Sequence, residues 1–247
     1  MPLLWLDPQD DNQLFPHPDR ALNEPNGLLA AGGSLSPRRL LRAYQQGIFP
    51  WYSSGQPILW WSPNPRLVLL PECLQISRSL RKILRNGSFS VTADTAFEAV
   101  MTACAAPRGP GEGTWITPEM LRAYCRLHQL GYAHSIETWH QSELAGGLYG
   151  VAVGRVFYGE SMFSRVSNAS KVALATLARQ LHRWEFAVID CQVRTDHLLR
   201  MGAADIPRSL FLELLDCFCS LPGRNGPWEL DIDLFTDLLA TPPAKLS

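Results

Sequence analysis

Two polar side chains interrupt a run that otherwise reads as the inside of a sheet. In Phe186–Gln192, FAVIDCQ, Asp190 and Gln192 stand among Val188, Ile189 and Cys191. Side chains alternate along a strand, so Val188, Asp190 and Gln192 are expected on one face and Ile189 and Cys191 on the other. Neighbours on one face lie about 7 Å apart, close enough for a carboxylate and an amide to act on one substrate. Burying an unpaired charge is costly, so Asp190 calls for a donor or a ligand. A structural aspartate that pins a loop amide is the plainer account, and the run by itself does not choose. A third polar group, Glu160, follows the apolar run Val151–Tyr158. It could anchor a cation, or simply pair with Arg165 or Lys171. Cys191 suggests a thioacyl route, but alternation turns it away from Asp190 and Gln192 and no histidine adjoins it.

The elements that must position these groups can be read around them. Val151–Tyr158 reads as a strand, Gly159–Ser167 as a loop, and the stretch from Asn168 as a helix with Leu174, Leu177, Ala178 and Leu181 on one face. Asn168 or Ser170 is the expected N-cap. Strand, helix and strand of this length predict a parallel pair with a right-handed crossover, and such sheets gather their sites at the carboxyl ends of strands. Upstream, Tyr132–Trp139 and Leu144–Leu148 read as strands joined by a turn at HQSE, with Tyr149–Tyr158 carrying on from them; Leu67–Leu70 is a further short strand. Thr117, Pro118 and Gly131 bound one helix. Ser36, Pro37 and Gly47 bound another, with Leu40, Leu41 and Tyr44 inward and Arg38, Arg39 and Arg42 mostly outward. Asp94 is the expected cap of a helix carrying Phe97, Val100, Met101 and Cys104, followed by a Pro/Gly-rich loop at 105–113. Helices are also expected around Thr195–Met201 and Leu210–Leu221.

A chain of 247 residues suits one large domain or two smaller ones. Pro63–Pro65 is the candidate boundary, giving an N-terminal domain at 1–64 and a larger one at 65–247. The net charge of −1 supplies no global field for a polyanion, so nucleic-acid contact would need a local patch. In ISRSLRKILRNG a helix places Arg78, Arg81, Lys82 and Arg85 on about a third of its circumference, with Leu80, Ile83 and Leu84 opposite. No acid occurs between Cys73 and Ala93, so this face suits phosphates and salt-dependent binding, against the alternative of a merely solvated face. Phe49, Trp51, Trp60 and Trp61 lie among turn residues, as core plugs or as platforms for a base or an apolar side chain. Six cysteines without a CxxC pair or a Cys/His cluster argue against zinc and for reduced thiols. The six histidines form no metal pair or triad, and His134 and His197 are expected to be structural. The opening MPLLWLDPQDDNQ has no basic region, and no apolar run approaches the ~20 residues of a membrane span, so a cytoplasmic location is expected.

The stretches EPNGLLAAGGSLSPRRLLRAYQQGIFPWYS, PILWWSPNPR, EGTWIT, HSIE, FYGESMFSR, NASK and IDCQV follow one another through most of the chain. With them the sequence resembles the bacterial leucyl/phenylalanyl-tRNA–protein transferases. The resemblance implies an α+β chain: a small N-terminal domain, then an acetyltransferase-like (GNAT-type) mixed sheet flanked by helices. It implies a reaction in which leucine or phenylalanine, less readily methionine, moves from aminoacyl-tRNA to the N-terminal arginine or lysine of acceptor proteins, feeding N-degron degradation. It implies no cofactor and no metal. Carried over residue by residue, Asp190 and Gln192 correspond to the catalytic pair. Trp51, Trp115, Leu148, Phe157, Glu160, Met162 and Ile189 fall on the aminoacyl-adenosine pocket. Arg78, Arg81, Lys82 and Arg85 match the tRNA-binding region.

The implied chemistry is modest in its demands. The donor is an activated ester, so neither ATP nor a metal is required, and an α-amine with a pKa near ~8 is partly neutral at working pH. Holding amine and ester in attack geometry supplies much of the acceleration, while some group must receive a proton. Asp190 is expected to supply negative charge and to fix Gln192, whose carbonyl oxygen orients the amine, with water or the ribose hydroxyl sharing the proton transfer. A CoA-dependent acyltransferase is the rival within enzymes, but the turn GESMFSRVSNAS offers only Gly159 to a pyrophosphate. A non-catalytic RNA-binding protein would explain the basic helix and leave Asp190 beside Gln192 without a task.

Overall fold

The computed structural model describes residues 3–107 and 114–234. Most of the Pro/Gly-rich loop, with Glu112 and Gly113 of EGTWIT, lies outside them, as does the chain from 235.

The first strands are β1 (Leu4–Leu6) and β2 (Leu28–Gly32), followed by α1 (Pro37–Gln45), β3 (Phe49–Pro50) and β4 (Leu59–Trp61). They form a four-stranded sheet in the order β1-β2-β4-β3. Helix α1 starts where the sequence says it should: Ser36 Oγ accepts the Arg39 amide at 3.2 Å, and Pro37 occupies the first turn, where no amide is needed. Leu40 and Tyr44 are buried as expected. Arg39 is not outward. It is buried, donating to the carbonyls of Asp7 and Asp10 at 3.1 and 2.6 Å, because the preceding acidic segment folds back over the helix.

The rest of the chain builds β5 (Arg66–Leu69), α2 (Arg78–Asn86), β6 (Ser90–Ala93), α3 (Phe97–Ala105) and α4 (Pro118–Gln129). Then come β7 (Ala133–His140), β8 (Glu143–Val153), β9 (Val156–Ser164), α5 (Ala169–Arg183) and β10 (Val188–Gln192). The last elements are α6 (Asp196–Arg200), β11 (Ala204–Ile206) and α7 (Arg208–Phe218). The seven-stranded sheet has the order β11-β5-β10-β9-β8-β7-β6. Among the described residues only β9 and β10, joined through α5, run parallel in this sheet, so it is mixed and flanked by helices, the α+β class expected.

Three local expectations need correction. The run Val151–Tyr158 is not one strand but the two arms of a hairpin that turns at Gly154–Arg155. Apolar β-formers on both sides hide this turn in the sequence. Gly154 adopts φ +58°, and a Cβ there would lie 2.4 Å from the carbonyl oxygens of Phe218 and Cys219. Glu160 therefore sits inside β9 rather than on a loop. Asn168 occupies the N-cap position of α5, but its side chain caps no helix amide; it takes a left-handed φ of 70°, accepts from Lys171 Nζ at 2.9 Å, and leaves Ser164 Oγ to accept the Ser170 amide at 3.3 Å. Asp94 does not cap α3, because its carboxylate is taken by three other partners: the His134 ring, the Ser135 amide and the Trp228 amide at 2.8, 2.9 and 2.8 Å.

Alternation along β8 divides the core. Tyr149, Val151 and Val153 join Leu29, Leu40, Tyr44 and Trp60 of the small sheet, together with residues of α3, α4 and α7. Leu148 and Ala152 face the other way, toward α2, α5 and Trp228. The first cluster runs unbroken from the four-stranded sheet into the seven-stranded one. No helix among the described residues is long and apolar enough to cross a membrane.

Candidate active site

Two irregularities in adjacent strands create the site. Tyr149 pairs with Ser161 and Gly150 with Gly159, so Glu160 is one residue too many in β9. Gly150 stands opposite the bulge, where a Cβ would meet Tyr158 O at 2.2 Å. In β10, Asp190 pairs with Val68 and Gln192 with Leu67, leaving Cys191 as the extra residue. Asp190 pairs with Tyr158 across the parallel ladder, so the two bulges lie side by side. Gln192 adopts φ +61°, rare for a residue with a side chain, and its Nε2 donates to Glu160 Oε1 at 2.8 Å.

The bulge overturns the simple alternation. Ile189, Cys191 and Gln192 line a cavity of about 510 Å³, and Asp190 does not. Asp190 is fully buried behind them, in a bidentate pair with Arg66: Nε to Oδ1 at 2.8 Å and Nη2 to Oδ2 at 2.6 Å. Its Oδ1 also accepts the Gln192 amide at 2.9 Å. Arg66 Nη1 donates to the Gly47 carbonyl at 3.1 Å, and its guanidinium carbon lies 4.8 Å from the ring centres of both Phe49 and Phe211. The cation that Asp190 required thus comes from the residue just before the Leu67–Leu70 run. The aspartate does pin a backbone amide, that of Gln192.

All seven residues assigned to the aminoacyl-adenosine pocket line this cavity. Trp51 and Trp115 stand at its wall, Trp51 45% exposed and packed on Trp61 with ring centres 5.6 Å apart. Leu148, Phe157, Met162 and Ile189 make it apolar, joined by Leu174 and Leu177 of α5. Glu160 forms its polar end beside Gln192. Glu160 makes no pair with Arg165 or Lys171. Its carboxylate accepts from Tyr44 Oη at 2.8 Å and Tyr124 Oη at 3.0 Å, and the two phenol oxygens are 2.5 Å apart. Burial pushes its carboxyl up to about 7, against the hydrogen bonds from Tyr44, Tyr124 and Gln192, which pull it down. Burial also raises both phenols well above their usual value, and the nearby Glu160 charge adds to it.

Nothing in the sequence singles out Tyr124, and Tyr44 reads only as core; their helical spacing shows burial, not that both hydroxyls meet one carboxylate. Cys191 does reach the cavity, contrary to expectation, but burial pushes its thiol far up and leaves it a poor nucleophile. His134 is structural, stacked on Trp228 at 3.8 Å. His197 lines the cavity wall. Among the described residues no group of His, Cys, Asp or Glu could hold a metal ion.

Helix α2 lies apart from the cavity, its Leu80 and Leu84 buried in the core shared with Leu174 and Leu177 of α5. Ser77 Oγ caps it and Gly87 ends it in the left-handed region. Arg78, Lys82 and Arg85 are exposed and Arg81 is half-buried.

A family model described as leucyl/phenylalanyl-tRNA protein transferase matches residues 68–216, and one described as the N-terminal domain of that transferase matches residues 33–64. A leucyl/phenylalanyl-tRNA–protein transferase from Azoarcus sp. is 65% identical over 207 residues, 84% of this chain and 87% of that one. Proteins of the same name from Methylococcus capsulatus and Nitrosomonas europaea are 60% and 59% identical, covering 92% and 88% of this chain and 97% and 92% of theirs. Among solved structures, a GCN5-related N-acetyltransferase from Kribbella flavida is similar at 12% identity and a TM-score of 0.35, over 68% of this chain and 60% of that one. The chain belongs to the leucyl/phenylalanyl-tRNA–protein transferase family and is an aminoacyltransferase.

Proposed function

We propose that the enzyme transfers leucine or phenylalanine, less readily methionine, from aminoacyl-tRNA to the N-terminal arginine or lysine of acceptor proteins, and that the products enter N-degron degradation. The observation that carries this reading is the junction of the two bulges. Gln192 gives its amide N–H to Glu160, so its carbonyl oxygen is left for the cavity, beside an apolar pocket sized for an aminoacyl group. Leucine and phenylalanine fit one such pocket because apolar walls distinguish similar side chains by only about 1–3 kcal/mol per methylene. The indoles of Trp51 and Trp115 supply flat faces for the terminal adenine.

In this reading the acceptor amine hydrogen-bonds to Gln192 Oε1 and attacks the ester carbonyl held in front of it. Asp190 acts through Gln192 rather than on substrate, since both its oxygens are occupied by Arg66 and by the Gln192 amide. The exposed cations Arg78, Lys82 and Arg85, with Arg81 beside them, hold tRNA phosphates. Cytoplasmic location follows from the tRNA substrate. The test is direct. Labelled Phe-tRNA mixed with the protein and a peptide beginning with arginine should yield labelled peptide; label remaining on tRNA would show a binder instead. A peptide beginning with glutamate should stay unlabelled.

A further inference from the structure

Peptide-bond formation from an ammonium and an ester releases a proton that needs a receiver. The nitrogen loses one proton, the N–C bond forms, the ester C–O bond breaks, and the departing sugar oxygen takes the second N–H proton. Ammonium and ester thus become amide, alcohol and one surplus proton. The cavity holds a group built one proton short. Tyr44 Oη, Tyr124 Oη and the Glu160 carboxylate form a closed triangle with edges of 2.5, 2.8 and 3.0 Å. Three hydrogen bonds need three protons, and the two phenols own two. With Glu160 ionised, one edge sets two oxygens against each other without a hydrogen between them. With Glu160 protonated, every edge is bridged.

We propose that Glu160, with Tyr44 and Tyr124 as positioning residues, is the group that takes the surplus proton in each turnover and returns it to solvent as product leaves. This inference rests on the transferase reading above. Glu160 lines the cavity and holds Gln192 Nε2 at 2.8 Å, so an amine on the Gln192 oxygen stands next to the carboxylate. The groups facing Glu160 come from four elements: Tyr44 of α1, Tyr124 of α4, Tyr149 of β8, and Gln192 with the more distant Asp190 of β10. The Asp190 charge favours the protonated carboxyl, and that charge is paired with Arg66 at 2.6 Å. Burial already carries Glu160 to about 7, where a carboxyl can both take and release a proton.

The experiment joins pH-dependent single-turnover rates for Phe-tRNA and an arginine-initiated peptide to infrared titration of the resting protein. The wild-type rate should rise through pH 7 and level above it, and a neutral-carboxyl stretch should fade over the same range. Glu160→Gln should lose both signals and fall about 100-fold at pH 8. Tyr124→Phe, which keeps the carboxylate but removes one donor, should move both midpoints upward together. A Glu160→Gln rate within threefold of wild type, or a wild-type protein with no neutral carboxyl titrating near 7, overturns the proposal. Absence of any transfer by the wild type overturns the underlying reading instead, and is told apart because the infrared signal does not depend on turnover.

Discussion

Two carboxylates stand on neighbouring strands, Asp190 fully buried and Glu160 half-buried against the cavity, and the protein treats them in opposite ways. Asp190 receives a full positive charge through both oxygens, in a pocket closed by Phe49 and Phe211. Glu160 receives only neutral donors, two phenols and an amide, and opens on the cavity. A carboxylate gripped through both oxygens by a guanidinium is fixed in place with its acceptors engaged, which suits a part that sets geometry. One surrounded by neutral donors keeps a proton within reach, which suits a part that exchanges with substrate. Gln192 joins them: its backbone amide is held by one carboxylate and its side chain by the other.

Each arm of this contrast can be broken separately. The largest effect is expected at the inert pair. Arg66→Met leaves Asp190 buried without its cation and should cost about 3–5 kcal/mol in urea unfolding. Combining it with Asp190→Leu should restore most of that stability but not turnover, because the Gln192 amide has then lost its acceptor. A double variant with wild-type rate would remove Asp190 from the mechanism. At the exchanging group the effect depends on pH. Glu160 is raised from 4.5 to about 7 on folding, so the unfolded chain ionises first. Stability should therefore fall as pH rises from 4.5 to 7, by about 3 kcal/mol, and stay at the lower level above pH 7. Relative to wild type, Glu160→Gln should gain stability across that window and be level with it at pH 4. Gln192→Ala, which cuts the join, should lower turnover about 100-fold while donor binding changes less than threefold. Smallest is the remote helix: Lys82→Ala should weaken tRNA binding for any donor sequence and reduce its salt slope by a little under one unit, with single-turnover rate at saturation unchanged.

What could be read in advance follows from what each signal measures. The starts of α1 and α4 were legible because a hydroxyl cap before a proline is a local chemical event, satisfied by the next amides. The seven pocket residues were placed by resemblance, and the cavity gathers all of them. Alternation along β10 misled because it assumes an unbroken period of two, and a bulge at Cys191 changes which side chains share a face without changing composition. The sequence did require a cation for Asp190. It could not say that Arg66, 124 positions earlier, would supply it, since only the antiparallel pairing of β5 with β10 brings them together. The triangle at Glu160 was less visible still, because Tyr44 and Tyr124 look like ordinary core on two separate helices.

The apolar cluster shared by the two sheets also limits how substrate arrives. Swinging the small sheet away like a clamshell would wet Leu40, Tyr44 and Trp60 at once and pull Gly47 off the Arg66 guanidinium. A jaw motion of that kind is too expensive to serve as a door. In the proposed reaction the aminoacyl end of the donor then enters a cavity whose walls stay in place, past the exposed ring of Trp51, and side chains at that threshold do the selecting.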